Sequence, residues 1–394
     1  MATAAAAKNF SLGMSIGGKK PKPARRKAVR GKTLIAVDIG SKTTRVLLGS
    51  CGSSSITVDK YDSCVNPEDV SNNGKINNVF GAETNLKKLL GGNGVKLKNA
   101  ITTIESTEII KRELIIPQVS EGDELGLVTF EMGQYLAIDV SNFIIQYKRV
   151  GTIDVEGQKK TRVLVGAVPK SVIEPYINLF ESNGLNPFSM DVKTNSVEKL
   201  INFDAQNNPQ SPFKGKNLVF VDMGHSYFGI SLYKDGRYQF SRMIEMGGSM
   251  IDDLISSQMD VDLLEAERIK IDLSNKISIL DLARKFGKMD TDTARLSANQ
   301  RILLEILRII DKWLAEISNV IKYHTSRNRG NTIDGVYLYG GCSLFRDADK
   351  YFEARLGIKT RALTELGSVS VKDKSASAGE FANYVNLLGA LIIN

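Results

Sequence analysis

Two apolar runs in the chain end in the same signature. Thr33-Leu-Ile-Ala-Val-Asp-Ile-Gly40 and Leu218-Val-Phe-Val-Asp-Met-Gly224 both close on Asp-x-Gly, with Asp38 and Asp222 184 residues apart. Six residues past each glycine a second apolar run follows in register, Val46-Leu-Leu48 and Ile230-Ser-Leu232. Short β-branched runs bounded by turn residues read as strands, so each signature is expected at the tip of a β-hairpin. One Asp-x-Gly is an ordinary turn signal. Two in matching context predict related halves whose hairpins face each other across a cleft.

The residue types at these tips suit a phosphate chain. Gly40 and Gly224 let the backbone approach a ligand closely, and successive turn N–H groups form an anion nest. Ser41, Thr43 and Thr44 add hydroxyls, and Lys42 adds a point charge. Carboxylates beside phosphates require a cation. Mg²⁺ suits them, taking one or two carboxylates, substrate oxygens and retained waters, so Asp38 and Asp222 are the expected metal residues, acting through water. His225 follows the second signature, either as a phosphate donor or as a cap on the turn. Glu267 and Lys270 lie three residues apart on a predicted helix, either as a surface ion pair or as ribose-binding groups. Gly340-Gly341, after the strand Gly335-Val-Tyr-Leu-Tyr339, is either a tight strand–helix turn or a shelf without side chains for an adenine face.

The remaining elements alternate strands and helices. Residues 107–170 read as a compact insertion: a strand stopped by Pro117, a helix over 123–137, and strands at 143–147 and 162–168 joined through Glu156-Gly157. A helix over 171–183 ends at Gly184. The polar stretch Asp204–Ser211 marks a domain boundary. One helical stretch is expected from 248 to about 284. Another carries apolar residues at 302, 303, 306, 309, 310, 313, 314, 317, 320 and 321, a 3.6-residue period. Ser343 is the expected cap of a helix over 344–355, stopped by Gly357.

The order strand-Asp-x-Gly, strand-Asp-x-Gly, Ala-Glu-x-x-Lys, strand-Gly-Gly resembles the actin-like ATPase superfamily. Asp38–Thr44 is similar to its first phosphate motif, Asp222–Ser226 to its second and Gly340–Cys342 to its adenosine motif. Within it the chain resembles the type IV pilus assembly PilM family, relatives of the division protein FtsA. The stretches Val37–Ser41, Ser241–Gly248, Ala266–Lys270, Leu338–Leu344 and Pro169–Asp191 carry that likeness, which spans roughly 32–394. The resemblance implies an α/β fold: a two-lobed actin-like ATPase of ribonuclease H-like repeats with a small α+β subdomain inserted in the first lobe. It implies a first lobe at 32–106 and 171–205 with a C-terminal helix at 380–394, the insertion at 107–170, and a second lobe at 212–379. It also brings Ser226 and Cys342 into the nucleotide set. Arg45 departs from it, standing at an exposed position where lysine is common. The C-terminal stretch, a helix folding back on the first lobe, disfavours FtsA, which ends in a membrane-binding helix.

Nine basic and no acidic residues lie in 1–32; without them 43 basic face 44 acidic residues, so the charge of +8 belongs to the tail. Residues 1–31 are expected to be a disordered basic tail. It is a solubilising segment, a contact for anionic lipid, or, least favoured for want of interleaved aromatics, a nucleic-acid contact. No run of 18 apolar residues occurs, and three cysteines without C-x-x-C spacing point to reduced thiols in a cytosolic protein.

By resemblance, the chain is expected to be a cytoplasmic ATP- and Mg²⁺-binding scaffold of the pilus assembly platform, held at the inner membrane through partners. Its expected partner is the N-terminal cytoplasmic peptide of a PilN-like membrane protein, bound in a groove between the first lobe and the insertion. It is at most a slow ATPase, with Asp191 and Asn195 as candidates, by position only, for orienting the attacking water. It could also self-associate. The alternatives are a filament-forming FtsA-like ATPase, a small-molecule kinase of the same fold, a nucleic-acid-binding protein acting through its tail, and a scaffold that has lost nucleotide.

Overall fold

The structure, a computed structural model, describes residues 31–92, 97–120, 122–136, 139–287, 296–327, 332–372 and 378–393. Apart from its last residue, the expected tail 1–31 lies outside the described residues, as does Asn394. The chain divides into two units, Met1–Leu200 with Ser370–Asp373 and Asn386–Asn394, and Ile201–Val369 with Lys374–Val385.

The first unit is organised by β1 (Leu34–Ile39), which is buried at every position, as a strand rich in apolar residues must be when both faces are covered. β2 (Thr43–Cys51) returns antiparallel to it and β3 (Ile56–Val65) antiparallel to β2. After the short ladder of β4 (Ser71–Asn72) and β5 (Lys75–Ile76) comes α1 (Val79–Gly92), then β6 (Asn99–Ile104), parallel to β1. β7 (Ile110–Pro117), α2 (Glu124–Leu136), β8 (Phe143–Val155) and β9 (Gln158–Pro169) build a separate antiparallel sheet, ordered β7-β9-β8. It has its own core around Ile116, Met132, Val163 and Val165. Glu156 and Gly157 both take positive φ, 54° and 77°, in the two-residue turn of the β8–β9 hairpin. α3 (Lys170–Ser182), β10 (Asn186–Val192) and α4 (Lys193–Asn207) follow, with β10 parallel to β6. The polar stretch beginning at Asp204 thus starts inside a helix. Ile35, Val37, Leu86, Tyr176 and Phe180 sit in the main core.

The second unit repeats this plan with β11 (Asn217–Met223), β12 (Phe228–Lys234) and β13 (Arg237–Ile244). The helical stretch expected over 248–284 is three helices: α5 (Ser249–Met259), α6 (Leu263–Lys276) and α7 (Ile279–Phe286). Asp260 ends α5 in the left-handed region at φ 53°, the Asp262 carboxylate caps α6 by accepting from Leu264 N and Glu265 N, and Ser278 caps α7. The caps at Asp262 and Ser278 start new helices where the sequence suggested one. α8 (Ala298–Arg327) buries one face through Ile302, Ile306, Ile310, Trp313, Ile317 and Val320. β14 (Gly335–Tyr339) is parallel to β11, α9 (Ala348–Leu356) follows, and β15 (Thr360–Ala362) is parallel to β14. Between β14 and α9, Gly341–Leu344 form a 3₁₀ turn in which Ser343 Oγ donates to Gly340 O at 2.7 Å. The α-helix therefore starts later than the sequence suggests, and Ser343 does not cap it. Finally β16 (Val369–Val371) edges the first sheet beyond β3, and α10 (Val385–Ala390) belongs to the first unit from Asn386 on.

The repeat glimpsed in the sequence is a structural one. The five strands β10-β6-β1-β2-β3 and β15-β14-β11-β12-β13 share one order, and each neighbouring pair has the same sense in both sheets. Val37 faces Val46 as Val221 faces Ile230, and Ile39 faces Thr44 as Met223 faces Phe228. Even the bulge recurs, between Leu48 and Gly49 in β2 and between Leu232 and Tyr233 in β12.

Candidate functional site

Both hairpin tips turn alike. Gly40 N donates to Thr43 O at 3.0 Å, and Gly224 N donates to Tyr227 O at 3.2 Å. Each glycine carbonyl is fastened from outside the hairpin, by different means in the two units.

In the second unit, Gly224 O accepts from Gly248 N at 3.1 Å and from Cys342 Sγ at 3.3 Å, and His225 O accepts from Ser249 N at 2.9 Å. The first N–H groups of α5, unpaired within their own helix, hold the loop. Asp222 and Ser226 are half-buried beside it. Gly340, with φ +85°, brings the 340–342 loop against Asp222 and Met223.

Lys270 is buried, and its ammonium bonds Asp252 Oδ2 at 2.7 Å, with Gly248 O at 3.5 Å. Asp252 is itself 2 % exposed, and His225 Nδ1 lies 3.5 Å from the same oxygen. Lys270 thus pairs with Asp252, a residue the sequence did not single out, while Glu267 lies half-buried one turn earlier. Burial pushes the Cys342 thiol up to about 12, so it stays a protonated donor to Gly224 O. Above Gly341 there is open space: a Cβ there would meet only Asn383 Oδ1, at 3.8 Å. That oxygen is buried and has no hydrogen-bond partner among the described residues.

In the first unit, Asp38 is buried, with Arg45 Nη1 at 3.3 Å and Lys193 Nζ at 3.7 Å. Arg45, expected to be exposed, has a side chain only 20 % exposed because it pairs with that carboxylate. Ser41, Lys42 and Thr43 are half-buried along the turn, and Thr44 is fully buried, its hydroxyl donating to Asn66 Oδ1 at 2.6 Å. Asp191, on β10 opposite Thr103, is surrounded by donors: Asn195 Nδ2 at 2.9 and 3.1 Å, Val192 N at 2.8 Å and Lys199 Nζ at 2.9 Å. Asn195 Oδ1 accepts from Lys148 Nζ at 3.0 Å, and that ammonium also bonds Glu198 at 2.6 Å. Among the described residues no group of three or more His, Cys, Asp or Glu side chains is gathered as a metal cage.

A family model described as type IV pilus assembly protein PilM matches residues 36–278. Among solved structures, a PilM–PilN type IV pilus biogenesis complex is 16% identical, covering 91% of this chain and 97% of that chain with a TM-score of 0.71. The ethanolamine utilization protein EutJ from Carboxydothermus hydrogenoformans is 15% identical, covering 96% of this chain and 93% of that chain with a TM-score of 0.52. No curated protein sequence matches the chain significantly. The likeness to these structures assigns the actin-like fold. The family match spans more than half of the chain, and with the duplicated hairpin sheets it establishes that the chain belongs to the type IV pilus assembly protein PilM family.

Proposed function

We propose that the chain is an ATP-binding scaffold of type IV pilus assembly whose conformation responds to nucleotide. It docks the N-terminal cytoplasmic peptide of a PilN-like membrane protein at the cytoplasmic face of the inner membrane. The observation that carries the nucleotide half is the recurrence of one Asp-x-Gly hairpin, in one register, in both sheets. Family membership and the likeness to a solved PilM–PilN complex support the partner.

The residues fit the nucleotide chemically. Bound Mg·ATP supplies a triphosphate charge that needs N–H groups and cations around it. Past the glycine N–H groups, which close the turns themselves, residues 41–44 and 225–226 supply the backbone N–H groups of the proposed cradle, and Lys42 and His225 supply side-chain donors. Asp38 and Asp222 would orient waters on the metal. The unpartnered Asn383 Oδ1 beside Gly341 is an acceptor that an adenine amino group would satisfy. Glu267 and, once released from Asp252, Lys270 would serve the ribose, and Gly340, Gly341 and Cys342 the base. Asp191 and Asn195, the pair proposed to orient water, are tied to Lys199 and Lys148, which favours nucleotide as a conformational ligand over rapid hydrolysis.

The inserted sheet of the first unit has two edge strands, β7 and β8, and strand addition at such an edge suits an extended peptide. Among the described residues no helix is long and apolar enough to cross a membrane. The proposed membrane link runs through the partner. Titration calorimetry with Mg·ATP on the wild type and on Asp222→Ala tests the nucleotide site. Binding lost in the variant is expected, and unchanged affinity removes the assignment. Retention of the chain by the immobilised PilN-like peptide, and not by a scrambled one, tests the partner.

A further inference from the structure

The two hairpin loops are equivalent in backbone, but their glycine carbonyls are held differently. Gly224 O is held by Gly248 N and the Cys342 thiol. Gly40 O is held by a single side chain, Asn66 Nδ2 at 2.7 Å. Asn66 follows β3 and makes two more bonds to the same loop: its N–H donates to Lys42 O at 2.8 Å, and its Oδ1 accepts from Thr44 Oγ1 at 2.6 Å. Three of the five residues from Gly40 to Thr44 are therefore tied to one asparagine. Its amide orientation is fixed from α1, where Asn85 Nδ2 donates to Asn66 Oδ1 at 2.9 Å and to Val65 O at 3.1 Å. With Oδ1 taken by two donors, Nδ2 must point at Gly40 O. Asn66 is only 9% exposed and Asn85 7%, so water competes poorly for these bonds.

We infer that Asn66 is a positioning residue for the first phosphate loop, with Asn85 as its support, doing by side chain what the start of α5 does for the second loop. This role rests on the nucleotide reading above. It implies that the turn at 41–44 is held in shape before any ligand arrives, because the bonds of Asn66 run to loop atoms and to α1.

The test uses Asn66→Ala and Asn85→Ala in the full chain, with two readouts. Hydrogen exchange without nucleotide should rise locally over 40–47, while the equivalent loop 224–231 and the rest of the first sheet stay as in the wild type. Mg·ATP affinity by calorimetry should fall about tenfold for Asn66→Ala, the loss expected for buried hydrogen bonds of ordinary strength, and less for Asn85→Ala. Exchange that rises across the whole unit, or not at all, overturns the clamp. A local rise with unchanged Mg·ATP affinity overturns its role in binding. If the wild type itself binds no Mg·ATP, the nucleotide reading and the binding role fall together, while the exchange readout still decides the clamp. Should Asn66→Ala not fold, Asn85→Ala, which leaves Asn66 in place, decides the same questions.

Discussion

Gly340 lies so close to Asp222 that a Cβ built on it would stand 2.8 Å from the carboxylate Oδ1 and 2.9 Å from Met223 O. Its φ of +85° and ψ of 169° fall in a region that is essentially open to glycine alone. Two glycine properties, conformation and lack of bulk, are thus used at once where β14 meets the tip of β11.

Gly340→Ala should therefore cost about 1–3 kcal/mol from backbone strain alone, with the clash added to it. Urea denaturation checks the stability, and Mg·ATP calorimetry checks whether displacing Asp222 weakens binding as is expected of Asp222→Ala. Full stability in the variant would mean that the 340–342 loop is not held as described.

The buried pair of Asp252 and Lys270 makes a second prediction. Their side chains are 3% and 11% exposed, so removing the carboxylate strands an ammonium inside the unit. Asp252→Ala should destabilise by about 3–5 kcal/mol. Asp252→Leu combined with Lys270→Met should regain much of that loss, since a well-packed apolar pair replaces a desolvated ionic one. Denaturation of the single and double variants measures both, and an additive double variant would mean that the two charges are not coupled.

The Cys342 thiol carries a pH signature. Burial raises it from 9.0 to about 12, so above pH 9 the unfolded chain releases a proton that the folded chain keeps. The unfolded state then binds fewer protons, and stability falls as pH rises from 9 toward 12. Cys342→Ala should flatten this part of the alkaline limb, as read by thermal unfolding from pH 8 to 11. The same burial predicts that iodoacetamide leaves Cys342 unmodified in the native chain and labels it after unfolding.

The C-terminal segment packs tightly on α4. A Cβ on Gly389 would stand 2.1 Å from Ser196 O, and Lys199 Nζ bridges Asp191 at 2.9 Å to Ile392 O at 2.7 Å. Gly389→Ala should cost about 1–3 kcal/mol through overpacking against backbone. Hydrogen exchange over 385–392 should rise together with that of 191–199, and a rise confined to the C-terminal segment would show that Lys199 does not link the two.

The duplicated hairpins were legible because their information is local. A short apolar run, a polar turn and a glycine fix strand, tip and strand within some 15 residues. The turn at Glu156-Gly157 was readable for the same reason, and both residues take positive φ. The breaks at Asp260 and Ser278 and the 3₁₀ turn at Gly341–Leu344 were not legible, because helix ends and short turns there depend on which backbone groups find local side-chain or left-handed caps.

The sequence by itself determined that this chain is built from two like sheets, each with an Asp-x-Gly tip, since hydrophobic period and turn chemistry act over a few residues. Only the tertiary structure decided what holds those tips and where their charges go. Asn66 reaches Gly40 across 26 positions, Asp252 takes Lys270 from 18 positions away, and Cys342 meets Gly224 O across 118. Such partners are chosen by burial, because a polar group removed from water must find a donor or acceptor wherever the fold brings one, and no local pattern records which.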